Sequence, residues 1–444
     1  MKFDLVLRGG TLVSHEKTWV ADIAIGGGRI QHIGDVPSVG AAREINIEGK
    51  TVLPGLIDTQ VHFREPGLEH KEDLESGSRA AVMGGVTTFF EMPNTNPVTT
   101  TEEALGDKLA RARGRSWSNY AFFVGAGPDN VEDLARLEQL PGTPGIKIFM
   151  GSSTGPLLIE NDELLEQVLT NGVMPCPIHA EDEPRLKSRK ALLSDHPHAR
   201  EHPHLRDPEA ARLATERVIR LSEKTGRPVH ILHISTADEL PLLRAAKERG
   251  SKVTCEVTPQ HMTLEASLYE TLGKYLQMNP PVRDESHRAA IFEACQQGLF
   301  DVVGSDHAPH TREEKDLPYP KSPSGMPGVQ TILPIVLKHV NNGLLSLNHV
   351  VEMTSRRPAE LYGIVDRGEL REGFWADLVV IDPHAPFLID EDWLQSKCGW
   401  SPYEGWTGFG KPEYVMVNGH LAVDQGQLRQ AGAGATIEFK WKTT

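Results

Sequence analysis

TVLPGLIDTQVHFREPG, residues 51–67, is the stretch whose reading decides the fold. Val52, Leu53, Leu56 and Ile57 make an apolar run short enough for a buried strand, and Asp58, Gln60, His62, Arg64 and Glu65 follow at once. Polar side chains therefore crowd where the strand should end, the pattern of a strand whose end does chemistry. Side chains alternate along an extended chain, so Gln60 and His62 share a face that Arg64 continues. The planar guanidinium of Arg64 suits a carboxylate held at two points. On this stretch alone, a satisfied buried histidine and a rim arginine compete with that reading, so the rest of the chain must decide.

Working outward, helical patterns alternate with eight candidate strands, at 53–62, 86–92, 120–124, 146–150, 173–179, 229–233, 253–257 and 302–306. Thr100-x-x-Glu103 and Thr236-x-x-Glu239 resemble capping boxes, and Gly84-Gly85 closes a helix before its strand. Eight strand–helix units predict an α/β fold, a (β/α)8 TIM-type barrel. No glycine-rich dinucleotide or phosphate loop favours an open doubly wound sheet. Before the barrel, residues 2–53 read as short strands between turns, a small antiparallel sheet. That pattern returns in ADLVVIDP, YVMVNGHLAV and ATIEFKW near the other end. Both chain ends are therefore expected to build one small β-sandwich, from residues 1–53 and 366–444, flanking a barrel of residues 54–365.

At 444 residues the chain accommodates such a barrel plus a smaller module. Its net charge of −15 gives no basic stripe for nucleic acid, which points to small-molecule chemistry. The four cysteines lie far apart with no C-x-x-C pair, arguing against a zinc ribbon and a disulfide framework. No stretch approaches the ~18 apolar residues of a membrane span, and the N-terminus lacks a secretory pattern, so a soluble cytoplasmic protein is expected.

In a barrel of this kind the C-terminal strand ends carry the chemistry. Here they carry His62, Met92-Pro93-Asn94, Lys147, His179-Ala180-Glu181, His233 and Asp306-His307. His62, His179, His233 and Asp306 are metal-ligand types on four different strands, a coincidence that predicts a metal site. Lys147 lies inside an apolar strand, where an ammonium is costly unless paired or neutral. Two readings stand: a lysine bonded to a neighbouring carboxylate, or a neutral amine that takes up CO2 and becomes a bridging carbamate.

With these residues in view, the chain resembles the dihydroorotase family of cyclic amidohydrolases in the amidohydrolase superfamily. The resemblance spans nearly the whole chain and is carried by VHFREPG (61–67), EMPNTNP (91–97), KIFMGSSTG (147–155), IHAED (178–182), MNPPVR (278–283), SDHAPH (305–310) and KCGWSPYEG (397–405). It implies reversible cyclisation of N-carbamoyl-L-aspartate to (S)-dihydroorotate in pyrimidine synthesis, with a small-molecule substrate. It also implies that Arg64, Asn94 and His310 hold the substrate carboxylate and that Asn279 contacts the ring amide. His179 and His233 would ligate one zinc ion, His62 and Asp306 another, with Lys147 carboxylated between them and Asp306 shuttling the proton. A homo-oligomer is expected, with aspartate transcarbamoylase as a potential associate. The departure is Gln60, where the family's His-x-His pair has its first histidine. A neutral amide binds zinc poorly, so one tight ion per chain, and at most two, is expected. Two alternatives accompany this reading: a dihydropyrimidinase, hydantoinase or allantoinase, and an inactive subunit supporting a transcarbamoylase.

Other features give weaker expectations. His261 is read as a packing or surface residue near the site. The segment 195–208, with His196, His198, His202 and His204 among prolines, is read as a mobile surface connection. The stretch 311–328 should lie over the site, and Trp393, Trp400 and Trp406 are expected to pack between modules.

Overall fold

The apolar run at residues 51–61 folds as two strands, with a change of sheet between them. In the computed structural model, which describes residues 3–37, 41–151, 155–429 and 431–441, Thr51–Pro54 joins a sheet of the chain ends and Leu56–Val61 opens a barrel. Ser152, Ser153 and Thr154 of the KIFMGSSTG stretch lie outside the described residues. Gly55 makes the change possible. A Cβ there would sit 2.1 Å from Thr87 Oγ1, and its N–H donates to Asp377 O at 2.8 Å. The strand expected at 53–62 therefore begins after Leu53, which belongs to the other sheet.

That other sheet contains β1 (Phe3–Val13), β2 (Thr18–Gly26), β3 (Arg29–Gly34), β4 (Ala41–Asn46) and β5 (Thr51–Pro54). After the barrel strands β6 to β14, it takes in β15 (Leu378–Ile381), β18 (Tyr414–Val417), β19 (His420–Asp424) and β20 (Gln427–Leu428). Its order is β20-β19-β18-β15-β5-β1-β2-β3, with β4 also on β1. The sheet is mixed, correcting the antiparallel expectation. The long β1 pairs β4 along its first half and β5 near its end, both parallel, because the β2–β3 hairpin returns the chain to run in the direction of β1. Alternating Leu5 and Leu7, Ile23 and Ile25, and Leu378 and Val380 share one apolar core, as a period of two requires.

Eight parallel strand positions form the barrel: β6 (Leu56–Val61), β7 (Val86–Glu91), β8 (Asn119–Phe122) continued by β9 (Val124–Gly125), β10 (Ile146–Phe149), β11 (Cys176–His179), β12 (Val229–Ile231), β13 (Val253–Val257) and β14 (Val302–Val303). Phe123 interrupts the third, its N–H turning to Glu91 O at 3.0 Å. The ring closes where Val61 bridges His307 in parallel and His62 N donates to His307 O at 2.7 Å.

Three expectations shift. Thr101, not Thr100, caps helix Glu102–Ala112, and Glu239 accepts from Thr236 N at 3.0 Å just before its helix starts at Leu240. The ATIEFKW segment leaves the sheet: Thr436 bridges Tyr120, and Phe439 packs on Phe90 at 5.7 Å. Between β15 and β18, the hairpin β16 (Pro386–Leu388) and β17 (Thr407–Phe409) with Trp393, Trp400 and Tyr403 joins the barrel's apolar core. The modules meet at Asn119, which donates to Asp377 Oδ2 at 3.1 Å and accepts from Asn418 Nδ2 at 2.7 Å.

A buried ion pair fixes the start of the fifth strand. Val173 is 71% exposed, so the strand begins at Cys176 and not at Val173 as expected. Glu138 and Arg227, each 1% exposed, pair at 2.5 Å. Glu138 also accepts from Val173 N at 2.6 Å, and Arg227 Nε donates to Met174 O at 2.7 Å. Losing one partner strands a buried charge, at a cost of about 3–5 kcal/mol. Glu138→Gln should therefore lower the urea-unfolding midpoint markedly, whereas Glu102→Gln, which breaks an exposed pair with Arg136, should leave it nearly unchanged. Equal midpoints for the two variants would show that the buried pair does not secure this strand.

Candidate metal and substrate site

Three residues at the barrel mouth leave the strands in left-handed backbone: Arg64 (φ 69°), His233 (φ 38°) and Asp306 (φ 46°). Side chains other than glycine adopt this region at a cost of about 1–3 kcal/mol, and such strain collects at functional sites. It also shortens two expected strands. The sixth ends at Ile231 and the eighth at Val303, so His233 and Asp306 lie past the ladder with their side chains freed to turn.

Lys147 remains within its strand, β10. Its Nζ is buried with no hydrogen-bond partner among the described residues and lies 4.5 Å from the Phe149 ring centre. The reading that bonds it to a neighbouring carboxylate is not what this structure holds. Burial pushes the amine down to about 7, against the attraction of Asp306 and then Glu256.

Beside it, His179 Nδ1 faces His233 Nε2 at 3.0 Å. His179 Nε2 lies 2.8 Å from Glu181 Oε2, and Glu181 is gripped by Arg206, whose Nε donates to Oε1 at 3.1 Å. Burial opposes the charge of Glu181, but Arg206 and His179 outweigh it and hold the carboxyl below the usual range. Burial lowers both imidazoles, so each stays neutral at pH 7. A carboxylate at Nε2 fixes the proton of His179 there, which leaves the Nδ1 lone pair directed at His233.

Across the mouth, Asp306 Oδ1 receives Gln60 Nε2 at 3.0 Å and lies 3.2 Å from His62 Nε2. His62 Nδ1 lies 2.7 Å from Asn94 Oδ1. Gln60 Oε1 is buried without a hydrogen-bond partner among the described residues. Asp58 anchors this end of the barrel, accepting from Ser305 N at 3.1 Å and from the Ser305 hydroxyl. Burial raises Asp58 to about 7.

Arg64 Nε donates to Pro309 O at 3.1 Å, and its terminal nitrogen lies 3.2 Å from His310 Nε2. Lys71 Nζ lies 3.2 Å from His310 Nδ1, so three nitrogen groups adjoin. Burial lowers Arg64 to about 10, which leaves it cationic at neutral pH. Trp400 Nε1 donates to His310 O at 2.8 Å, so this tryptophan braces the site and does more than pack between modules. The stretch 311–328 does cover the site. Ser324 O lies 3.1 Å from His310 Nε2, and the buried Lys315 Nζ donates to Gln277 O, Pro323 O and Gly325 O at 3.2, 2.9 and 3.0 Å. Asn279, half-buried, meets His202 Nε2 through Oδ1 at 2.9 Å. His202 is itself buried, which corrects the reading of 195–208 as a mobile connection at that residue. His261 is buried too, its Nε2 3.1 Å from Pro280 O.

The donor set suits a metal ion. Among the described residues no three His, Cys, Asp or Glu groups stand together as a cage. Instead two pairs, His179 with His233 and His62 with Asp306, flank a buried lysine without a partner.

Three contributors, Arg206, Lys71 and Lys315, gave no signal in the sequence, whereas Glu181 stood out two residues after His179 and Trp400 only as a packing residue.

The amidohydrolase family model matches residues 51–422. The chain is 38% identical to a dihydroorotase of Methanosarcina acetivorans, over 99% of this chain and 96% of that one. It is 34% identical to a dihydroorotase of Pyrococcus furiosus, over 99% and 97%. Among solved structures, the L-hydantoinase (dihydropyrimidinase) of Arthrobacter aurescens superposes with a TM-score of 0.93 at 29% identity, covering 98% of this chain and 99% of that one. The dihydropyrimidinase of Brevibacillus agri gives 0.91 at 28%, covering 97% of each. The family implies a metal-dependent enzyme, and with its barrel, its flanking sheet and this site, the chain belongs to the amidohydrolase family.

Proposed function

We propose that the chain is a dihydroorotase, interconverting N-carbamoyl-L-aspartate and (S)-dihydroorotate for pyrimidine synthesis. The observation that carries this reading is the cationic Arg64 set against His310 and Lys71 at the barrel mouth. An arginine buried with no carboxylate in hydrogen-bond contact among the described residues awaits an anion, and the ring carboxylate of dihydroorotate supplies one. Asn94 and Asn279 join the clamp, the first toward the carboxylate and the second toward the ring amide.

His179, His233 and a carboxylated Lys147 would hold one metal ion, and His62 with Asp306 a second. When bound, zinc supplies the Lewis acidity that polarises an amide carbonyl and eases loss of a proton from water. The chain's own residues do the rest. Arg64 and His310 seat the carboxylate and so orient the ring. Asp306 accepts the proton of the attacking water and delivers it to the ring nitrogen as the C–N bond breaks. Cyclisation reverses these steps. The enzyme acts in the cytoplasm as a homo-oligomer, with a transcarbamoylase as a candidate associate; no described helix is long and apolar enough to cross a membrane.

A hydantoinase is the second reading, favoured by the likeness to the Arthrobacter structure. Its unsubstituted rings carry no carboxylate, so Arg64 and His310 would have nothing to bind. A silent subunit is favoured only by Gln60, against the intact grouping of Lys147, His179 and His233.

Arg64→Ala should weaken dihydroorotate binding by about 2–4 kcal/mol while leaving metal content unchanged, since the guanidinium meets substrate and not metal. Calorimetric affinity and elemental analysis of the same preparation check this; lost metal with normal affinity would contradict it.

Lys147→Ala should be almost inactive and should regain part of its rate with millimolar propionate, which restores an anionic oxygen bridge. An unmodified Lys147 in the active, metal-loaded enzyme, read by intact mass and crystallography, would contradict the carbamate.

Gln60 offers its nitrogen to Asp306 and has only a neutral oxygen to spare. The protein as purified should therefore hold one tight metal per chain, and Gln60→His should raise the content towards two. Two tightly held ions in the unmodified protein after mild chelation would refute this.

A further inference from the structure

The buried His202 lies against Asn279 from a segment whose sequence suggested only a solvent-exposed connection. Its ring nitrogens have different partners. Nε2 is 3.0 Å from the Met278 carbonyl and 2.9 Å from Asn279 Oδ1, with Ser324 Oγ at 3.5 Å. Nδ1 is 3.3 Å from the Tyr319 hydroxyl. Backbone carbonyls only accept, so the Met278 contact places the ring proton on Nε2. Nδ1 is then the acceptor, and the Tyr319 O–H donates to it. Burial, and after it the nearby Arg206, lowers this imidazole to about 3, so it carries a single N–H at neutral pH.

A protonated Nε2 cannot face an amide NH2 group. Asn279 must therefore present Oδ1 to His202, and its Nδ2 is turned the other way, with no hydrogen-bond partner among the described residues. Tyr319, His202 and Asn279 thus form a chain that fixes which end of one side-chain amide is free. A free amide swaps its ends at little cost and offers donor or acceptor alike; one held in this way offers only a donor.

We infer that His202 is a positioning residue for substrate specificity: by fixing the Asn279 amide it makes the site present an N–H donor, which selects a ligand with a carbonyl oxygen at that point. The inference rests on the dihydroorotase reading in one respect, that the ring amide of the substrate lies against Asn279. The donor selects an oxo group on the ring and rejects an analogue bearing an N–H or a methylene there, because the paired amide cannot turn to accommodate it.

The test is a double-mutant cycle on the full-length, metal-loaded enzyme with dihydroorotate as substrate. Asn279→Ala and His202→Phe should each raise KM about tenfold, the effect of one hydrogen bond, and leave kcat within about twofold. The double variant should be no worse than Asn279→Ala, since His202 acts only through Asn279. His202→Gln, which retains an N–H donor, should recover most of the KM and covers the case in which the phenylalanine variant does not fold. Penalties that multiply in the double variant would overturn the proposal, as would an unchanged KM in His202→Phe or a fall in kcat alone. If the unmodified chain opened hydantoin or dihydrouracil and left dihydroorotate untouched, the functional reading would fail. The cycle would then be read on that ring, and its coupling would still decide the role of His202.

Discussion

A lysine side chain buried beneath the barrel mouth, its nitrogen without a hydrogen-bond partner among the described residues, is the constraint to which the site is built. Burial pushes the Lys147 amine down to about 7, and nothing among the described residues lies within hydrogen-bond reach of its nitrogen. The side chains that the proposed function assigns to metal stand near it in two pairs. His179 and His233 face each other across 3.0 Å, and His62 faces Asp306 at 3.2 Å. A structure selected for stability alone would have placed an apolar residue at this point.

Around that centre, the barrel holds these side chains by satisfying their outer atoms. Glu181, itself gripped by Arg206, sets the proton of His179, and Asp58 with Ser305 ties the last strand to the first. The closing bond from His62 N to His307 O ties this residue directly to the ring of strands, so the position of His62 follows from barrel closure. On the substrate side, Trp400 and Lys315 hold His310 and the turn above it from outside the barrel. On the proposed function, the strand ends and the residues just past them would carry the reacting groups, and the connections after them would carry recognition.

The strand ends were legible in the sequence because each places an unusual residue in or just after an apolar run. His62, Lys147, His179, His233 and Asp306 needed no knowledge of distant partners to be noticed. The pairing of chain ends was legible from the repeated strand pattern, although the parallel contacts of β1 were not, since alternation does not encode strand direction. Features that depend on contacts remote in sequence escaped. The Glu138–Arg227 pair joins residues on two sides of the fifth strand, and Asn119 joins barrel to sheet across most of the chain. His202 escaped for another reason. Histidines among prolines have the composition of a loose connection, and only the fold brings one of them under Asn279.

Two families of relatives frame the remaining choice, dihydroorotases by sequence and hydantoin- and dihydropyrimidine-opening enzymes by structure. They share the ring-opening step and differ in whether the ring bears a carboxylate. The most direct measurement is kcat/KM of the metal-loaded protein on dihydroorotate, dihydrouracil, hydantoin and allantoin under one set of conditions. A site built around a buried guanidinium should favour dihydroorotate by about 10⁴ over the rings that lack the carboxylate. Comparable rates on dihydrouracil or hydantoin would show that Arg64 and His310 do not select the substrate, and would contradict the account.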